Sequence, residues 1–163
     1  MKPNIEISET NLKEVATLLN SLLADEYLLN TKTRNAHWNI QGTHFNELHN
    51  FFESQYNHLD IAIDDIAERI RSLGHFAIGS LRDFIKIANI DEENDDFIDK
   101  EQIIQTLLED HEAIIRSLRN NIPIVSDEFK DIGTADFLTG LMEQHEKMAW
   151  MLRSYLEKNT NQS

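Results

Sequence analysis

Apolar residues return every three or four positions through four long runs of the chain, the period of an amphipathic helix. Between about Ser8 and Asn35, Leu12, Val15, Leu19, Leu22 and Leu29 keep that step, and Ser8 or Thr10 can cap its start. A second run, Thr43 to Leu73, carries Leu48, Phe52, Tyr56, Leu59, Ile63, Ile66, Ile70 and Leu73. A third starts near Asp99 or Lys100, with Ile103, Ile104, Leu107, Leu108, Ile114, Ile115 and Leu118 as its core face. The fourth, from about Thr134 to Lys158, carries Phe137, Leu138, Leu141, Met148, Met151, Leu152, Tyr155 and Leu156.

The punctuation fits four helices. Gly42 closes the first, Thr43 can cap the second, and Pro123 removes a backbone donor and interrupts the third before Ile132. Between the second and third runs, residues 75–98 hold a short amphipathic piece, SLRDFIKI, and an acidic run from Asp91 to Asp96 that reads as a solvated loop. This stretch has the length of the crossover in a bundle with one long connection. The expected fold class is therefore all-α, a four-helix bundle in a single domain spanning residues 1–163. A short lead-in (1–7) precedes it, and a tail from about residue 159 is expected to be disordered.

A chain of 163 residues suffices for one well-buried core. No run of eighteen apolar residues and no signal-peptide pattern occurs, so the expected location is the cytoplasm. With no cysteine, disulfides and thiolate ligands are excluded, leaving histidine and carboxylate as the strong metal ligands. A formal net charge of -14 argues against broad affinity for nucleic acid or anionic lipid and suits attraction of cations.

The second helix carries the chemistry. One residue past its apolar stripe run His49, Glu53, Asp60, Asp64 and Glu68, on one polar face about 100° around the axis. Such a face is often only solvated. Imidazole and carboxylate together, however, are ligands for zinc, manganese or non-haem iron. The pair His49/Glu53 and the pair Asp64/Glu68 are centred fifteen residues apart, roughly 22 Å along a helix. They can share a metal only if a second copy of the helix lies antiparallel, about a two-fold axis near Asn57 to Leu59. His37, at the end of the first helix, can join if the chain turns there. An intra-bundle site built on Glu-x-x-His is not supported, because Leu108 and Met142 stand three residues before His111 and His145. No HExxH occurs either. His111 and His145 read as hydrogen-bonded core residues, Glu26 as a satisfied or edge carboxylate, and His44 and His58 as solvated surface. Asp60, between the ligand pairs, is placed to tune the site or meet a partner. Trp38 reads both as packing and, beside the candidate ligand His37, as an electron donor or radical sink.

These residues resemble the Dps family of mini-ferritins. The family's H-W-N-x-x-G, F-x-x-x-H and D-x-x-A-E-R stand here as His37 to Gly42, Phe45 to His49, and Asp64 to Arg69. The segment GTADFLTGLMEQHEKMAWMLRSYL resembles the family's last helix, so the likeness spans nearly the whole chain. It implies a ferritin-like bundle and a homododecameric shell. It also implies iron held between two-fold-related subunits, with His37, His49 and Glu53 from one and Asp64 and Glu68 from the other. The implied activity is that of a ferroxidase that oxidises Fe(II), preferably with hydrogen peroxide, and stores ferric mineral against oxidative stress. Zinc is an alternative occupant. Some members have Asp where Glu53 stands, which puts occupancy of a second iron position in question. Two other readings compete: a DNA-coating protein without chemistry, and a helical bundle used only for protein contacts. The family's DNA binders commonly use a lysine-rich tail, whereas here Lys2 is alone at the start and Lys158 is the last basic residue. In a gel-shift assay at low salt the protein is expected to leave DNA unshifted; a clear shift that weakens with added salt would overturn this.

Overall fold

The computed structural model describes residues 3–92 and 99–157, which among them form only helices. Helix α1 spans Glu9–Asn39, α2 Phe45–Ser72, α3 Leu81–Ile87, α4 Lys100–Pro123 and α5 Ile132–Leu156. The hairpin of α1 and α2 packs on the hairpin of α4 and α5, and α3 lies across α1. The expected all-α bundle, with a short helix in its long crossover, is the fold observed. Most of the acidic run (93–96) and the tail (158–163) lie outside the described residues.

Helix ends follow local chemistry, with some differences from the pattern. The Ser8 hydroxyl accepts from the Asn11 N–H at 3.1 Å and caps α1. That helix continues to Asn39, so His37 stands inside its last turn and not after its end. Gly42, at φ +88°, turns the chain. The residue entering α2 is His44, itself left-handed at φ 69° and without a side-chain cap, so the expected role of Thr43 as the cap is not borne out. Asp131, nearly buried, caps α5 by accepting from the Thr134 N–H at 2.9 Å. Pro123 ends α4 as expected, and a wide π-helical turn over Ile124–Glu128 follows, closed by the Phe129 N–H on the Ile124 carbonyl at 3.0 Å. At Gly74 two constraints coincide: φ is +85°, and a Cβ there would lie 2.8 Å from Pro3 Cδ. Only glycine meets both.

The predicted stripes of α1, α2 and α4 are buried, save that Ile63 and Ile115 are half-buried. On α5 the buried line is Leu138, Leu141, His145, Met148, Ala149 and Leu152, leaving Met151 and Tyr155 exposed. His145 supplies the reason. It takes a central seat on the buried face and sets the line 145, 148, 149, 152, past which Met151 and Tyr155 fall outside.

Glu26 of α1, His145 of α5 and His111 of α4 form a chain of polar contacts in the core, each 0% exposed. Glu26 Oε1 is 2.7 Å from His145 Nε2, and His145 Nδ1 is 2.9 Å from His111 Nδ1. Two facing nitrogens need one proton between them. With His145 Nε2–H donating to the carboxylate, His145 Nδ1 accepts from His111 Nδ1–H, and His111 Nε2 is left as a bare lone pair. That nitrogen and Glu26 Oε2 have no hydrogen-bond partner, which matches two acceptor ends of one directed chain. Nearby, Lys32 crosses from α1 to Asp110 of α4 in a largely buried ion pair and donates to the Asp91 carbonyl at 3.1 Å.

Burial, and next the neighbouring His145, hold the His111 imidazolium well below the usual histidine range. The unfolded chain therefore binds the extra proton more readily. The stability this contributes is fully present above the unfolded histidine value of about 6.5 and is lost as pH falls below it. Urea unfolding at pH 7.5 and pH 5.5 is expected to show a lower midpoint at the lower pH, and His111→Leu to flatten that difference; equal slopes in the two proteins would contradict it. His145→Ala strands a buried carboxylate and is expected to cost about 3–5 kcal/mol in the same measurement at pH 7.5.

Candidate metal centre

The end of α1 and the start of α2 meet through two histidines. His37 Nδ1 lies 2.8 Å from the His49 carbonyl, and His49 Nδ1 lies 2.9 Å from the His37 carbonyl. A carbonyl only accepts, so each Nδ1 carries a proton, and in the neutral ring the lone pair is on Nε2. The rings stack with centroids 3.7 Å apart, and Phe45 stacks on His49 at 5.2 Å. An imidazole fixed through Nδ1 to a carbonyl is oriented as metal-binding histidines are, with Nε2 as the ligand atom. The donor set thus fits a borderline or hard cation.

Glu53 follows one turn after His49 and is exposed. Its Oε1 accepts from the Tyr56 hydroxyl at 3.3 Å. The Tyr56 ring meets His37 edge-on, at 5.3 Å and 81°, and the Arg34 guanidinium lies 4.1 Å from its centroid on the ring face. Burial, and next the Glu53 carboxylate, push the Tyr56 hydroxyl above its usual range, so it remains a donor. Asp60 does not face open solvent alone. It pairs with Arg34 and accepts from Asn30 Nδ2 at 3.0 Å, while Asn30 Oδ1 accepts from Arg34 Nε at 2.9 Å.

One protomer therefore brings His37 against His49, and Glu53 stands one helical turn farther along α2 in contact with Tyr56. Asp64 and Glu68 are exposed farther along the same straight helix, and the structure does not bring them to the histidines. Among the described residues of one chain, no three His, Asp or Glu side chains converge well enough to hold a metal ion. His44 and His58 are exposed as expected; His44 lies 3.4 Å from Glu47, and His58 Nδ1 donates to the Ser54 carbonyl. Trp38 is 67% exposed in the protomer, so its expected packing role is not met there. The pattern of the sequence placed Tyr56 in the apolar stripe. Its i, i+3 spacing from Glu53 was the available signal for a second role. Arg34 and Asn30 carried no such signal, because their importance depends on the fit of α1 against α2.

Comparison with known proteins places the chain among ferritin-like proteins. Residues 16–160 match the ferritin-like domain. An uncharacterised low-temperature-induced protein of Nostoc is 46% identical over 154 residues, covering 94% of this chain and 86% of the relative. DNA protection during starvation protein 2 of Bacillus anthracis is 32% identical over 146 residues, covering 90% and 99%. The crystal structure of the Dps protein of Vibrio cholerae, described as one of a superfamily of ferritin-like diiron-carboxylate proteins, superposes with a TM-score of 0.88 at 34% identity, covering 96% and 98%. The fold and these matches define a ferritin-like protein. Within that class the chain belongs to the Dps family.

Proposed function

We propose that this chain forms a cytoplasmic twelve-subunit shell that takes Fe(II) as substrate, oxidises it between two-fold-related protomers, and stores the ferric product. The reading rests above all on the reciprocal His37/His49 hydrogen bonds, which engage both Nδ1 atoms and make Nε2 the ligand atom of each ring, one helical turn before Glu53. On a straight α2, Asp64 and Glu68 stand roughly 22 Å from that cluster. A partner laid antiparallel about Asn57 to Leu59 supplies them, and the same operation repeats the site at the other end. Family membership supports iron storage and protection, since ferritin-like diiron-carboxylate chemistry is ascribed to the Vibrio cholerae protein.

His37 and His49 would give imidazole donors, while Glu53 with the partner's Asp64 and Glu68 would give anionic oxygens that favour the ferric over the ferrous ion. Zinc suits the same donors and would act as a competitor. With hydrogen peroxide as oxidant the electrons balance: two Fe(II) give two electrons, and H2O2 with two protons takes them to form two waters. Trp38, next to His37 in the chain and exposed, is the side chain we assign as sink for any stray one-electron oxidation. The names of several relatives refer to DNA protection; a net charge of -14 favours protection by removing iron and peroxide over protection by coating.

Anaerobic Fe(II) addition followed by peroxide is expected to give fast ferric absorbance and a soluble product. His49→Ala or Asp64→Ala should each suppress it, and oxidation no faster than in buffer with the shell intact would end the reading. Co-expression of those two variants tests the two-chain site directly. A mixed pair has one site with both lesions and one intact site, so random pairing should restore about a quarter of the wild-type rate. A site contained in one protomer would recover nothing.

A further inference from the structure

A glutamate has one more rotatable bond than an aspartate, and Glu53 is exposed, so by itself its carboxylate would sweep a range of positions. A metal position needs its ligands held within about 0.5 Å. The extra methylene that loosens Glu53 also lets it reach one turn along α2. There Tyr56 donates to Oε1 at 3.3 Å.

Tyr56 is itself held on several sides. The residue is 9% exposed, its ring meets the His37 ring edge to face, and Arg34 covers a face at 4.1 Å. Arg34 is in turn fixed by Asp60 and by Asn30 Oδ1. Asn30 Nδ2 donates to Asp60 at 3.0 Å and to the Tyr56 carbonyl at 3.0 Å, so the network returns to the residue from which it started. Tyr56 is thus in contact with two of the three ligand candidates on this protomer, each from a different helix: His37 through its ring and Glu53 through its hydroxyl.

We propose that Tyr56 is the positioning residue of the metal centre, its hydroxyl retaining Glu53 Oε1 so that Oε2 is the oxygen presented to the metal. The inference rests on the inter-subunit reading and concerns the metal position that Glu53 completes. At 3.3 Å the contact is longer than the roughly 2.7–2.8 Å usual for O–H···O. Tyr56 forms no bond to the metal and moves no electron in this role. It restricts a side chain that would otherwise be free.

The test uses Co(II) as a visible probe on the assembled protein without oxidant, following its d–d absorbance and the heat of binding. Glu53→Gln defines the binding that depends on that carboxylate. Tyr56→Phe keeps the ring against His37 and removes only the hydroxyl; it should weaken the same binding by about tenfold to hundredfold, the usual effect of losing a ligand's supporting hydrogen bond. Shell size and thermal midpoint should stay as in wild type. The decisive comparison is made on Glu53→Asp, whose shorter arm cannot span to Tyr56: there Tyr56→Phe should have no further effect, giving a coupling between the two sites that a purely packing role would not produce. Tyr56→Phe binding Co(II) as wild type does, or weakening it equally on both backgrounds, overturns the proposal while leaving the inter-subunit site standing. Wild type taking up no Co(II), or His49→Ala taking it up equally well, overturns both.

Discussion

A straight α-helix cannot bring residues fifteen apart into contact, and the candidate chemistry of this protein follows from that constraint. Between Phe45 and Ser72 there is no proline and no glycine to bend α2. The histidine end and the acidic end of its polar face therefore stay apart, and either end is an incomplete ligand set alone. What one chain does complete is the support: paired carbonyls behind the imidazoles, and a tyrosine, an arginine and two further polar residues behind Glu53. If the ligand set is completed between chains, as proposed, assembly becomes a condition of the chemistry.

The bundle core is organised differently. Glu26, His145 and His111 are acid and base types that elsewhere bind metals, yet they contact one another in a line, each of the two contacts holding one proton. A chain of that kind specifies which faces of α1, α4 and α5 meet, since sliding any one of the helices by a turn would leave at least one of these polar groups without its partner in an apolar interior. Leucines at those positions could pack in more than one register. The polar line cannot.

The four helices, the crossover and the acidic stripe were legible because each depends on periodicity within one segment. The ends of α1 and α2 were less so. His37 lies within the helix because α1 runs on to Asn39, and Thr43 yields the start of α2 to a left-handed His44, a choice made by how the turn must lead α2 back along α1. Periodicity put Tyr56 correctly on the buried face but could not report its hydroxyl, and it gave Glu26 no partner because His145 lies 119 residues away. Trp38 was read partly from the usual burial of its residue type, whereas a single protomer leaves it outside. In each case the missing information was tertiary: which element lies opposite.

The clamp at the far end of α2 gives that helix a mechanical property. Arg69, next to Glu68, donates through Nε to the Thr134 hydroxyl at 2.9 Å and through its terminal nitrogen to Asp131 at 3.1 Å, tying the last turns of α2 to the start of α5. At the opposite end the histidine pair ties α2 to α1. A rod fastened at both ends resists rolling about its long axis. At a side-chain radius of about 5 Å, a roll of about 10° would shift a ligand atom by about 0.9 Å, more than a metal position tolerates. Because the two fastenings reach different helices, the resistance of α2 to rolling is set by the bundle as well as by the helix itself.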